Sequence, residues 1–344
     1  MKNSNRVRIP YGISLIELLV SMGVGIILLN AIIQVYTSNH RATRTISGYS
    51  SLQENSRISI SQITQSLRLA GHYGGVEPND IQVITGLSIT GIGGCDHDWV
   101  TDTTQSITGY EGAANVGAII DLPSNCIPTG HYVEDSDILA IRYASPSGAA
   151  PVSGLNSSKV YIRTSVGGGI QGGELLLGAN IGSTSLNGGA DNVGVYNYAY
   201  KTELFFLRPC SELNGSACDD EIPTLVKYTL DGATLTLEAI AEGVEQFQIE
   251  YGVDLVDASN GTSQPGNDYV ADSYVLASDV DDWREVVSAR FSVVIRSEHK
   301  DSSTQDLSTY DLAGEFEYTP TSDLQQYSRK AFTKVVQLRN MTRG

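Results

Sequence analysis

The feature that most constrains this chain is a run of 24 residues at positions 13–36, ISLIELLVSMGVGIILLNAIIQVY, in which Glu17 is the one charged side chain. As a helix it spans roughly 36 Å, enough to cross the hydrocarbon core of a bilayer with some tilt. Lys2, Arg6 and Arg8 precede it and no acidic residue does, which favours a cytoplasmic N-terminus and an exported remainder. A secretory signal would be followed by a small-residue cleavage site of the A-x-A kind, and none follows here.

Helical spacing continues past the apolar run. Ile46, Tyr49 and Leu52, then Ile60, Ile63, Leu67 and Ala70, recur among polar residues at intervals that place them on one helix face. Gly71 is a suitable stop. The spacing predicts one helix over residues 13–70, apolar on every side in its first half and amphipathic in its second, a rod on the order of 85 Å. Glu17 is its anomaly. A carboxylate inside a membrane-spanning run costs a few kcal/mol or more and calls for a positive partner. A cut between Gly12 and Ile13 would create an α-amino group close by, and a neighbouring subunit could offer the same amine. An uncleaved anchor, with Glu17 hydrated near the interface, is the simpler alternative.

Residues 12–20, GISLIELLV, resemble the N-terminal signature of type IV pilins and type II secretion pseudopilins. The resemblance implies a basic leader (1–12) removed after Gly12 by a prepilin peptidase. It implies N-methylation of Ile13 and a Glu17 that guides helix packing in a filament. Two features depart from the pattern: Ile13 stands where Phe is usual, and the common helix-kinking proline is absent, with Gln34 nearby. Further along, residues 52–75, LQENSRISISQITQSLRLAGHYGG, are similar to the helix end of PilW-type minor pilins. SDILAIRYA, EGVEQFQIEYGVD, VVSARFSVVIRSE and AFTKVVQLRN look like later blocks of the same family in the same order. The partners implied are other minor pilins, the major pilin, the prepilin peptidase and the inner-membrane assembly platform. The localisation implied is a single inner-membrane span before assembly, with the C-terminal part in the periplasm, and the pilus or cell surface afterwards. A type II secretion minor pseudopilin, or a tip-displayed adhesin or DNA-uptake subunit, is the alternative.

Taken by themselves, the same blocks alternate at period two. Strands are expected over 137–144, 159–166, 224–230, 234–239, 246–251, 286–295 and 332–338, with Asp231-Gly232 as a hairpin turn. Abundant glycine (35) and an excess of tyrosine (18) over phenylalanine (6) suit such a turn-rich domain. The expected fold class is α+β. Residues 13–70 form the long helix, 13–36 its transmembrane part, and 71–344 a mostly antiparallel β domain outside the cytoplasm. One sheet face would be covered by the second half of the helix, with Ile63 and Leu67 in the contact.

Cys95, Cys126, Cys210 and Cys218 all fall in the exported part, an even number in an oxidising compartment. Pairing Cys95 with Cys126 and Cys210 with Cys218 is favoured. Cys95, His97, Cys126 and His131 are also residue types that zinc takes, although the C-x-H spacing is tight and periplasmic thiols oxidise. No catalytic site, cofactor or metal is expected. GGGIQG at 167–172 formally contains G-x-G-x-x-G, but GELLLGAN after it reads as a strand, leaving no helix N-terminus to hold a pyrophosphate. Residues 254–282 carry seven aspartates and neither Lys nor Arg. Those oxygens suit Ca²⁺ but lack the D-x-[DN]-x-[DN]-G spacing, so a solvated excursion is the simpler reading. With 39 acidic against 22 basic residues and a formal charge of −17, nucleic acid is not an expected partner.

Overall fold

The computed structural model describes residues 14–165, 172–186, 194–215, 217–254, 269–301 and 305–341. Helix α1 runs from Leu15–Leu69, and a one-turn helix α2 spans His97–Thr101. The strands, in chain order, are β1 Ile81–Val83, β2 Ile107–Tyr110, β3 Ile138–Ala144, β4 Val160–Ser165, β5 Gly172–Leu177 and β6 Val195–Arg208. They continue with β7 Leu213–Asn214, β8 Ala217–Cys218, β9 Thr224–Asp231, β10 Thr234–Glu242 and β11 Val244–Val253. The last are β12 Ser273–Val275, β13 Val286–Arg296, β14 Tyr310–Asp311, β15 Glu317–Tyr318 and β16 Arg329–Gln337. The chain divides into two compact units that adjoin in sequence at Ser50 and Ser51, inside α1.

In the first unit, every large apolar side chain from Leu15 to Tyr36 is exposed, Leu15 at 79% and Ile27 at 70%. No other part of the unit covers them. The helix is long and apolar enough to cross a membrane, with a mean hydropathy of 2.3 over its best window and none of that window buried.

The second unit holds two main sheets. One runs in the order β1-β5-β4-β6-β3-β2, with β9 joined to β6 and β10 to β9. Every pairing in it is antiparallel except β1 with β5. β6 is long enough to serve three partners: its start pairs with β4, and its later part with β3 on one side and β9 on the other. The other sheet is β12-β11-β13-β16, antiparallel throughout. Asp231 pairs with Thr234, so the turn is Gly232-Ala233, and Gly232 takes the positive φ of 64° that a tight reversal needs.

Alternation along β3 and β6 sends apolar residues to both faces of the larger sheet. Leu139, Ile141, Phe205 and Leu207 join Leu52, Ile63, Leu67 and Ala70 of α1. Phe247, Ile249, Phe291, Val293 and Ile295 of the smaller sheet complete that core. Ile138, Ala140, Leu204 and Phe206 face the opposite way, against Tyr73, Leu87, Val100 and Ile127. The expected cover of one face by the helix is therefore shared with a second sheet, and the other face is also buried. Residues between 73 and 132, which carry little periodic signal, supply that second cover.

The buried stripe of α1 in this unit is Leu52, Ser56, Ser59, Ile63, Thr64, Ser66 and Leu67, with Ala70 just past its end, a three-and-four spacing in which hydroxyl-bearing residues are interspersed with aliphatics. Ser56 and Ser59 return their hydroxyls to the carbonyls of Leu52 and Asn55. Their polarity is thus absorbed within the helix.

Candidate functional site

The resemblance implies a leader cut between Gly12 and Ile13, with N-methylation of Ile13, and an assembly carboxylate at Glu17. Gly12 and Ile13 lie outside the described residues. Glu17 sits in the first turn of α1, exposed, and one of its carboxylate oxygens (Oε2) accepts the backbone N–H of Ser14 at 3.0 Å. Leu18 N–H donates to the Ser14 carbonyl at 3.1 Å, so Ser14 occupies the cap and Glu17 the third helical position. This is the acidic half of a capping box. A carboxylate here also lies at the positive end of the helix dipole. The S-x-x-E spacing of Ser14 and Glu17 was a readable sequence signal for it. In this geometry the carboxylate is held at the helix end and directed at a backbone N–H on its N-terminal side.

The other end of α1 is tied down more firmly. Gly71 has φ +72°, the left-handed conformation that closes helices, and a Cβ there would meet Met341 Sδ at 2.8 Å. The side-chain amide of Asn340 donates to the Arg68 carbonyl at 3.0 Å and to the Ala70 carbonyl at 3.2 Å, satisfying acceptors that the helix leaves over. Upstream, Asn55 Nδ2 donates to the Glu242 carbonyl at 3.0 Å. Midway, Ser66 Oγ donates to Glu203, whose other oxygen takes Lys227 Nζ at 2.8 Å, all inside the fold. The LQENSR and LRLAG blocks now have physical roles. Leu52, Leu67 and Ala70 bury, Asn55 latches the helix to the β10–β11 turn, and Gly71 ends it. Arg57 and Glu54 make an exposed i,i+3 pair at 2.6 Å, a minor contribution.

A second buried charged cluster closes one end of the smaller sheet. Glu245, at the start of β11, takes Arg329 at both carboxylate oxygens and Arg296 Nη1 at 3.3 Å. Tyr318 OH donates to it at 3.0 Å. Strand register places Arg296 directly opposite Arg329. Burial beside Glu245 drives the Tyr318 hydroxyl far above its ordinary pKa.

Residues 213–340 match the family model of type IV pilus-assembly protein W. The chain resembles a type IV pilus minor pilin of the PilW type. The PilW match covers a little over a third of the chain. It includes the whole smaller sheet, the Glu245 cluster and the Asn340 side chain that closes α1. A type IV-like pilin, TTHA1219 from Thermus thermophilus, is a structural neighbour at 10% identity. The alignment covers 85% of this chain and 97% of that one, with a TM-score of 0.33, too low to bear on the argument. No curated protein matches the chain in sequence.

Cys95 is bonded to Cys126 and Cys210 to Cys218. The first bond removes the thiolates that a zinc site with His97 and His131 would require. Cys95 and Cys126 are fully buried and pin the cover of the outer sheet face. Among the described residues, no group of three or more His, Cys, Asp and Glu could hold a metal ion. Of the seven aspartates in 254–282, Asp257 and Asp268 lie outside the described residues. Most of the glycine run at 167–172 does too, and Gly172, which is described, opens strand β5.

Proposed function

We propose that the chain is a minor pilin whose leader is removed after Gly12, and that its helix enters the core of a type IV pilus or its priming complex. The observation that carries this reading is the first half of α1. It is an apolar helix with its large side chains exposed on all sides and a single carboxylate, Glu17, capping its first turn. The PilW match in the second unit supports the same reading independently.

The proposed mechanism is physical. Before assembly the helix rests in the inner membrane, N-terminus on the cytoplasmic side and β domain in the periplasm. On entering the filament it exchanges lipid for other apolar helices, so there is little hydrophobic gain to set its position. A charge pair between Glu17 and the α-amino group of Ile13, its own or a neighbour's, supplies register. The role is structural rather than catalytic. Glu17→Ala is expected to leave removal of the leader intact, seen as a polypeptide beginning at Ile13 by mass spectrometry, and to block recovery of the subunit in sheared pili. Wild-type recovery of the variant, or a parent chain still beginning at Met1 in the membrane, would refute the proposal.

A further inference from the structure

Most edge strands of the two main sheets are short, buried or broken. β1 and β12 have three residues each, β2 is buried throughout, and β10 is interrupted by a bulge between Ala239 and Ala241. β16 differs. It pairs only with β13, in one unbroken register from Ser288 opposite Gln337 to Arg296 opposite Arg329. Just past its end, Leu338 N–H donates to the Val287 carbonyl at 2.8 Å. In an antiparallel ladder alternate residues face the same partner, so Val336, Lys334 and Phe332 also turn their backbone groups to β13. Those of Ala331, Thr333, Val335 and Gln337 point the other way, and none makes a further backbone hydrogen bond among the described residues. Thr333, Val335 and Gln337 are exposed, Val335 at 54%. A regular, exposed edge is a template for another extended chain.

The surface beside that edge is one-signed. A cavity of about 690 Å³ is lined by Arg57, Ile60, Thr64 and Arg68 of α1 and by Lys334 of β16, within the range of binding pockets. Every charged residue in its lining is basic, in a chain whose formal charge is −17. Arg57 shares Glu54, but Arg68 and Lys334 have no ion-pair partner among the described residues. Lys330, on the same face of β16 as Lys334, is exposed as well, its ammonium 5.1 Å from the Phe332 ring centre. Thr64 Oγ1, in the α1 wall, is buried without a hydrogen-bond partner.

We propose that β16 takes an extended, acidic peptide segment of a partner protein as an added strand. Main-chain hydrogen bonds to residues 331–337 give affinity, and alternate side chains give specificity. On the α1 side, carboxylates of the added strand meet Lys334, Lys330 and Arg68. On the other side, an apolar residue covers Val335. The two lysines select the occupant. They repel another basic edge, including β16 of a second copy, and admit an acidic one.

The test uses the full-length chain in a non-ionic detergent, titrated into a fluorescein-labelled, capped hexapeptide alternating glutamate and valine. A saturable rise in anisotropy is expected. Binding should weaken about tenfold or more when lysine replaces glutamate in the peptide, when alternate peptide nitrogens are methylated, and for the Arg68→Gln/Lys334→Gln variant. Val335→Pro removes a donor that points away from β13, a change that edge strands accept, and should weaken binding as much while keeping the parent's circular dichroism spectrum. Equal binding of the lysine peptide overturns the charge argument. Undiminished binding of the methylated peptide, or by a folded Val335→Pro chain, overturns strand addition; if that variant does not fold, the methylated peptide decides alone. Sedimentation of the chain by itself as a dimer that the glutamate peptide cannot enter assigns the edge to a second copy and overturns the proposal, as does silence towards every probe.

Discussion

Glu245→Gln isolates the value of one buried charge. The substitution keeps the shape and one acceptor oxygen but removes the negative charge that Arg296 and Arg329 share. The Arg329 side chain is fully buried and that of Arg296 is 5% exposed. Strand register sets the two residues side by side on β13 and β16. Arg329 would retain Asp306 at 3.3 Å and two carbonyls, and Arg296 the Glu221 carbonyl. Removing one member of a buried ion cluster costs about 3–5 kcal/mol, because the remaining charge is left desolvated. For a unit of this size each kcal/mol moves the melting temperature by roughly 2 °C, so the expected fall is about 6–10 °C. Circular dichroism melts of the full chain in detergent measure it, with Glu238→Gln as control. Glu238 is 57% exposed and lies 3.7 Å from Lys227, and its loss should move the midpoint by less than about 2 °C. A Glu245→Gln midpoint within that same margin would refute the claim that the cluster is desolvated.

The two disulfides should differ in worth. Loop closure over 31 residues for Cys95–Cys126 and 8 for Cys210–Cys218 gives about 3.7 and 2.5 kcal/mol by chain entropy, so the paired Cys→Ser variant of the first should melt lower than that of the second, and the reverse order would show that strain or local packing decides. Asp137 is also pH-sensitive: burial, and then the neighbouring Glu111, raise its pKa well above the carboxylate range, although Gly112 and Ile249 donate backbone N–H groups to it. The folded chain then holds a proton that the unfolded chain has lost, so this group's contribution falls as pH rises from the usual value of about 4 towards the raised one; Glu111→Gln should make the parent's loss of melting temperature across that window shallower, and parallel pH profiles would count against the coupling.

How much of this was legible beforehand depended on whether apolar and polar residues alternate along a strand. β3, β4, β9, β10, β11, β13 and β16 were each placed to within a few residues, because alternation survives in their sequences, even in β3 and β11, whose residues are buried on both faces. β6, the longest strand, was missed. Its second half reads Leu204-Phe205-Phe206-Leu207, a continuous apolar run, because both faces of the sheet are covered there, while Lys201 and Glu203 are polar interruptions that the fold neutralises internally. Ile46 and Tyr49 carried helical spacing but remain exposed, at 70% and 51%, so the same periodicity meant burial after Leu52 and not before. The Glu245 cluster could not be read at all. Its partners lie 51 and 84 residues away in sequence, and only strand register brings them together. Around Glu17, the helix and its acidic turn were legible, but the cap supplied by Ser14 was overlooked although its spacing was in view.

The two parts of α1 settle their side chains by opposite means. After Ser51 the stripe is mixed; its serines each have a destination within their own unit, while Thr64 Oγ1 is buried without a hydrogen-bond partner. Ser56 and Ser59 bond the helix backbone, and Ser66 reaches the Glu203–Lys227 pair. Burying a hydroxyl without such a partner would cost roughly 1–3 kcal/mol, so this stretch is fitted to one fixed surface, the core of the β domain. Before Ser50 the reverse holds. Residues such as Ile16, Met22, Ile27, Leu29 and Ile32 stand 60% or more exposed, and at about 25 cal/mol per Å² of apolar surface leaving such a run in water is untenable. Apolar surface on this scale marks contact with lipid or with another protein. Because it extends around the whole circumference, a single docking partner on one side would leave most of it wet. A bilayer or a bundle of like helices covers all sides at once, and the proposed passage from one to the other would exchange one apolar surround for another, leaving Glu17, the one charged group in the run, as the group whose surroundings would change.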